Sequence, residues 1–299
     1  MAERLRIGVI GLGDIAQKAY LPVLAARSDL ELHLFTRERG KLDRIGDAYR
    51  IPHRYTDLDA FLDAGAPAVF VHAATSAHRP LVERLLDAGR HVYVDKPLDA
   101  DLAGSEYLVQ LAEQRGRSLM VGFNRRYAPS YADLRALPRD LVVMQKNRVN
   151  LPDTPRDVVF DDFIHVVDTL RFLAPGTVEY TDIQVRVVDG LLHHVVLQMS
   201  GAGFTAIGIM NRLSGAAEES VEVMGRGRKR RVVDLAELVD YGPATAVTRR
   251  GDWTPVSRQR GIEQACDAFL AAVRSGEVIS ARDALQTHEL CERIVAACA

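Results

Sequence analysis

The chain has little cysteine, a single tryptophan and no marked excess of either charge. Its three cysteines, Cys266, Cys291 and Cys298, fall in the C-terminal stretch without CxxC spacing or a nearby histidine pair. An odd number so placed excludes a disulfide framework and a cysteine-based zinc centre, and no metal site is expected. A formal net charge of -2 excludes a general attraction to nucleic acid or to an anionic membrane surface. No apolar run approaches the roughly 18 residues that a membrane-spanning helix requires. The opening residues, MAERLRIGVIG, enter a strand pattern directly and lack signal-peptide character, so a cytoplasmic location is expected. Internal repeats and low-complexity segments are also missing.

What remains is an ordinary globular composition. Hydrophobic residues make up 47% of 299 and charged residues 26%, enough for two domains of usual size. Up to about residue 121, short apolar runs at Leu5–Ile10, Leu30–Phe35, 68–72, His91–Val94 and 118–122 alternate with amphipathic stretches such as 79–89 and 102–114. That alternation predicts a parallel sheet with helices on both faces. From about residue 140 the runs 142–150, 181–188, 191–200, 203–213 and 219–224 are separated by short turns, with Asp189-Gly190 a strong hairpin signal. A helix is expected at 161–173, and two more close the chain near Ile262–Ser275 and 281–297. The predicted fold is α/β: a Rossmann domain over 1–121, then an α/β domain with a largely antiparallel open sheet over 122–299. The basic run Arg226-Gly227-Arg228-Lys229-Arg230-Arg231 lacks the interleaved aromatics that stack on bases and reads as a solvated hairpin loop.

The segment Gly11-Leu12-Gly13-Asp14-Ile15-Ala16 follows the first strand and opens a helix. A G-x-G-x-x-A spacing carries meaning in that setting. Gly11 permits the tight turn, Gly13 lets backbone amides reach a pyrophosphate, and Ala16 keeps helix and strand close. The helix N-terminus faces the phosphates with free amides and the positive end of its dipole. Asp14 reads as a solvated member of this loop, and Pro22 is expected to kink or interrupt the helix. At the end of the second strand, where an acidic residue would hold an unphosphorylated ribose, stand Thr36 and Arg37. A hydroxyl and a guanidinium suit a 2′-phosphate, so NADP is favoured over NAD.

Lys96 follows the strand His91–Val94, at the sheet edge where open α/β sheets bind ligands, and Pro97 restricts its backbone. Further on, Asp161, Asp162, His165 and Asp168 recur at helical spacing, so a histidine flanked by carboxylates can be held in one tautomer. The spacing does not decide between Asp161 and Asp162 as its partner.

With these motifs the chain resembles the Gfo/Idh/MocA oxidoreductases. The resemblance runs through IGVIGLGDIAQKAYLPVL, VFVHAATSAHRPLVERLLDAGRHVYVDKPL, LMVGFNRRYAP and FDDFIHVVDTLRFL, and is greatest towards the MviM-like (YceM-like) branch. It implies that Lys96 and Pro97 stand in the family's E-K-P signature, with Asp95 replacing the glutamate. Asp161 and His165 match its D-x-x-x-H pair. Ala74, Thr75 and His78 fall in the segment that contacts the inner part of the cofactor, and Asn124 and Arg126 in the loop closing its nicotinamide side. Phe163 stands where many relatives have a small residue. The implied activity is NAD(P)-dependent hydride transfer on a sugar, polyol or related carbonyl. His165 would be the acid/base, Lys96 the group polarising the oxygen, and Asp161 or Asp162 the orienting carboxylate, with Arg126 and Asp162 near the substrate. Relatives pack one face of the second sheet against another subunit, so a homodimer or higher homo-oligomer is expected. A cofactor-binding regulator without chemistry is the alternative, and it would need neither Lys96 nor His165.

Overall fold

The computed structural model describes residues 4–299. The chain forms two compact units: the described residues up to Gly122 together with Ile262–Leu285, and Phe123–Gly261 together with Gln286–Ala299. Whereas the sequence division gives everything after residue 121 to the second domain, the helix Ile262–Ser275 belongs to the first unit. The reason is apolar: Phe269 is fully buried with its ring edge against Phe70 and Tyr93 of the first sheet.

In the first unit six strands, β1 (Leu5–Ile10), β2 (Leu30–Phe35), β3 (His53–Tyr55), β4 (Ala68–Val71), β5 (His91–Val94) and β6 (Leu119–Val121), form one parallel sheet in the order β3-β2-β1-β4-β5-β6. Ile7, Val9, Val69, Phe70, Val92 and Tyr93 are at most 1% exposed, as strands covered on both faces require. The strand order reverses between β1 and β4, which opens a crevice at their carboxyl ends. The helix after the glycine loop is interrupted, as the proline predicts. Ala16–Tyr20 form a wide π-type turn, and a regular helix restarts at Leu21–Ala25 with Pro22 in its first turn, where a missing N–H costs nothing.

The second unit carries an eight-stranded sheet: β7 (Leu141–Asn147), β8 (Tyr180–Val188), β9 (Leu191–Gly201), β10 (Phe204–Asn211), β11 (Glu218–Gly225), β12 (Arg228–Val233), β13 (Glu237–Tyr241) and β14 (Ala246–Arg249), in the order β14-β13-β12-β11-β7-β10-β9-β8. Every neighbouring pair is antiparallel except β7 with β10. The helix Ile164–Leu173 lies on one face, close enough that a Cβ on Gly208 would stand 2.7 Å from Val166. On the other face Val143, Val196, Ile207 and Ile209 remain half-exposed. The basic run is the β11–β12 hairpin: Arg226 and Gly227 take positive φ at the turn, and β12 follows. Lys229 pairs with Glu222 at 2.9 Å and Arg230 with Asp240 at 2.6 Å, so these charges are matched within the sheet. Among the described residues no helix is long and apolar enough to cross a membrane.

Candidate functional site

In the first unit the glycine loop meets the end of β4. Gly11 has φ +84°, and a Cβ there would stand 2.5 Å from the Ala73 nitrogen, so neither its backbone nor its surroundings admit a side chain. Gly13 has the opposite character, with nothing within 4 Å of where its Cβ would be. The loop is therefore tied down on its sheet side and open on its outer side, the cradle a pyrophosphate needs. Ala16 is fully buried, in keeping with close helix–strand packing. Ile15 is 47% exposed, and Asp14 turns to solvent, paired with Lys18 at 2.8 Å.

Thr36 and Arg37 follow β2 at the same carboxyl edge. Among the described residues Arg37 is exposed and has no ion-pair partner, while its neighbours are occupied: Glu38 with Lys41 at 2.7 Å and Arg39 with Asp43 at 2.9 Å. Ala74 and Thr75, just past β4, are exposed and half-exposed. His78 differs from a surface contact. It is 1% exposed, with Nδ1 2.8 Å from the Pro97 carbonyl and Nε2 3.0 Å from the Ala73 carbonyl. It staples the turn after β4 to the turn after β5, and so holds the ligand edge in shape from within.

Asp95 and Lys96 follow β5, and the Lys96-Pro97 peptide is cis. Asp95, shorter than the glutamate of the family signature, accepts a hydrogen bond from His72 Nδ1 at 2.8 Å. His72 is buried, stacked on Tyr20 with ring centroids 4.0 Å apart, and the Tyr20 hydroxyl meets that of Tyr93 at 2.9 Å. Burial, with the Asp95 charge second, raises the Tyr20 hydroxyl well above its ordinary pKa, so Tyr20 keeps its proton at any physiological pH. Of the members of this network only Asp95 stood out in the sequence, although His72 and Tyr93, two polar-tipped residues in buried segments, are a visible signal.

In the second unit the residues of interest divide. Val158–Phe163 form a π-type turn before the helix Ile164–Leu173, so the regular spacing that would set Asp161, Asp162 and His165 on one face is broken. Asp161 is exposed and His165 half-buried. Asp162 turns towards the sheet, where Lys146 reaches it at 2.5 Å, Arg212 at 2.8 Å and Arg148 at 2.9 Å. A carboxylate so surrounded anchors the turn that precedes His165. Burial raises its pKa, but Lys146 and Arg148 outweigh that and leave it lowered.

Arg126 is likewise committed. Its guanidinium donates to both oxygens of the buried Asp168, at 2.8 and 2.6 Å. That pairing commits the Asp168 carboxylate to Arg126, away from His165. Asn124 donates its side-chain amide to the Arg260 carbonyl at 2.7 Å, against the sharp turn at Gly261. Beside them the buried Arg125 donates two 2.7 Å hydrogen bonds to Glu219, which also accepts from the Tyr131 hydroxyl at 3.1 Å. Burial pushes the Glu219 carboxyl up, yet the Arg125 charge and hydrogen bonds prevail and hold it at about 2. Lys146, between Asp162 and Glu219, is pushed down to about 7 by burial and by the Arg125 charge. Lys146, Arg148, Arg212 and Glu219 escaped the sequence reading, though Lys146 continues the inward parity of Val142 and Met144 on β7, where a charge needs a partner.

A glycine turn at the reversal point of a β3-β2-β1-β4-β5-β6 parallel sheet defines a dinucleotide-binding Rossmann protein. Residues 5–123 match the oxidoreductase family with an NAD-binding Rossmann fold, Gfo/Idh/MocA, and residues 129–240 match the YceM-like C-terminal domain. The chain is 36% identical to YceM of Salmonella typhimurium over 281 residues, 92% of this chain and 91% of that one. It is 30% identical to the myo-inositol dehydrogenase Hyg17 of Streptomyces leeuwenhoekii, over 84% of this chain and 67% of that one. A crystal structure of the dehydrogenase MviM from Clostridium difficile superposes with a TM-score of 0.92 at 29% identity, over 99% and 100% of the two chains. The chain belongs to the Gfo/Idh/MocA oxidoreductase family.

Proposed function

We propose that the protein is an NADP-preferring dehydrogenase or reductase acting on a CH–OH or carbonyl carbon of a sugar, polyol or related compound. The observation that carries this reading is the glycine cradle at the β1/β4 crevice, with Lys96 on the same carboxyl edge, in a chain of this family. A bound nicotinamide dinucleotide supplies the hydride donor or acceptor. Gly11, Gly13 and the amides before Ala16 hold its pyrophosphate, with Ile15 over the loop. Thr36 and Arg37 receive the 2′-phosphate, and Arg37, exposed and without an ion-pair partner among the described residues, is suited to it. Ala74 and Thr75 line the inner part, while His78 and the His72–Asp95 pair keep that edge in place.

His165 exchanges the hydroxyl proton, and Lys96 polarises the oxygen by charge and hydrogen bonding. Asp161 orients His165 or a neighbouring hydroxyl; the capture of Asp162 by three cations favours Asp161 for this task. The polyol class is supported by the relative named as a myo-inositol dehydrogenase. The half-exposed apolar residues on the open face of the second sheet support a homodimer or higher homo-oligomer. Sedimentation of the full chain as a monomer at micromolar concentration refutes that part. The activity is tested by turnover on a panel of polyols, sugars and their keto forms with NADPH and NADP. A positive substrate should lose roughly 10²–10⁴ in rate on His165→Ala while dinucleotide affinity is kept. A loss under about tenfold would remove His165 from the acid/base role.

A further inference from the structure

We infer that Glu31, His33 and His53 form a binding site for a zinc-class divalent cation on the outer edge of the first sheet. Glu31 and His33, two apart on β2, point to one face, and His53 of β3 is the register partner of His33. Glu31 Oε1 lies 3.1 Å from His33 Nε2 and 3.9 Å from His53 Nε2, and the three ligand atoms all fall within 4.8 Å of one another. Metal–ligand bonds of about 2.0–2.1 Å in a tetrahedron set its ligands about 3.3 Å apart, a spacing that Glu31 and His33 already meet and that His53 reaches by turning its ring. The two imidazoles are stacked at 4.4 Å, 8° from parallel. His53, whose side chain is 40% exposed, is the one free to turn its lone pair inward.

His33 is 4% exposed and oriented from behind, its Nδ1 3.2 Å from the Tyr55 hydroxyl. In the tautomer that donates Nδ1–H to Tyr55, Nε2 presents a lone pair directly at the Glu31 carboxylate, and a cation between them satisfies both. A carboxylate, carbonyl or hydroxyl behind a ligating imidazole is the usual support of such sites. Glu31 and His53 open on a cleft also lined by Arg4 and Arg50, which leaves a fourth position for water or an anion. Two imidazoles and one carboxylate select a late first-row dication over magnesium or calcium. The ion would tie the edge strand β3 to β2, next to the point where the Thr36 amide donates to the Tyr55 carbonyl at 3.3 Å.

The test is calorimetric titration of the tag-free, chelator-treated full chain with Zn²⁺, with the visible absorption of a Co²⁺ complex as a second readout. Saturable uptake of a single ion is expected, accompanied by a rise in unfolding temperature. His53→Ala and Glu31→Gln should each weaken affinity by at least about tenfold, and Tyr55→Phe, which removes no ligand, by about tenfold. Cys298→Ser should leave it unchanged. Absence of saturable uptake, uptake insensitive to His53→Ala and Glu31→Gln, or uptake abolished by Cys298→Ser overturns the assignment.

Discussion

Replacing Glu219 by glutamine tests how the second unit is held together beneath its candidate acid/base. Arg125 is buried, and Glu219 is its counter-charge, bound through two 2.7 Å hydrogen bonds. The carboxyl is held at about 2 against an ordinary 4.5, a difference worth about 3 kcal/mol. Since the folded pKa lies below the unfolded one, this stabilisation is fully present above pH 4.5 and is lost as pH falls towards 2. Glu219→Gln leaves a buried guanidinium without its counter-charge, a defect that costs about 3–5 kcal/mol. Urea unfolding of wild type and variant at pH 7 and at pH 3 reads both effects. The stability gap should be of that size at neutral pH and narrow in acid, where the carboxyl of the unfolded wild-type chain takes up a proton while the folded one stays largely ionised. A gap under about 1 kcal/mol at pH 7, or one that stays constant from pH 7 to pH 3, would refute the assignment of Glu219 as the charge that permits Arg125 to be buried.

Lys146→Met should flatten the pH dependence of stability between about 7 and 10.5, because the buried amine is pushed down to about 7 and the unfolded chain binds more protons across that window. Wild-type stability should rise from pH 7 to pH 9 and that of the variant should not; equal slopes in urea midpoints would contradict the burial of that charge. Gly11→Ala places a Cβ 2.5 Å from the Ala73 nitrogen at φ +84°, adding a left-handed strain of about 1–2 kcal/mol to the clash. Loss of dinucleotide binding with a lowered unfolding temperature is expected, and wild-type affinity would show that the loop is not the cradle. Arg37→Ala should weaken NADPH by roughly 10–100-fold, the value of one charge-assisted phosphate contact, and leave NADH untouched. Equal losses for both cofactors would move the 2′-phosphate away from Arg37.

How much of this was legible in the sequence depended on whether a segment's partners lay close along the chain. Leu5–Ile10, Leu30–Phe35 and His91–Val94 are mostly apolar and buried over most of their length, and their predicted limits coincide with β1, β2 and β5. β3 is three half-exposed residues, HRY, recognisable as a strand only through its pairing with β2. β12 was hidden by its own charges, which the neighbouring strands neutralise through Glu222 and Asp240. The glycine loop could be read because its requirements are local: a positive φ, open space and a following helix. The surroundings of His165 could not be read to the same depth. Periodicity assumes 3.6 residues per turn, and the π-type turn at Val158–Phe163 sends Asp162 to Lys146, Arg148 and Arg212 instead. The pairing of Arg126 was hidden because Asp168 lies 42 residues further on.

The most direct measurement of the central claim is calorimetric titration of the full chain with NADPH and, separately, with NADH. Saturable binding of one dinucleotide per chain, tighter for NADPH and lost in Gly11→Ala, is the predicted result. Failure of both dinucleotides to bind the folded wild-type protein would contradict it.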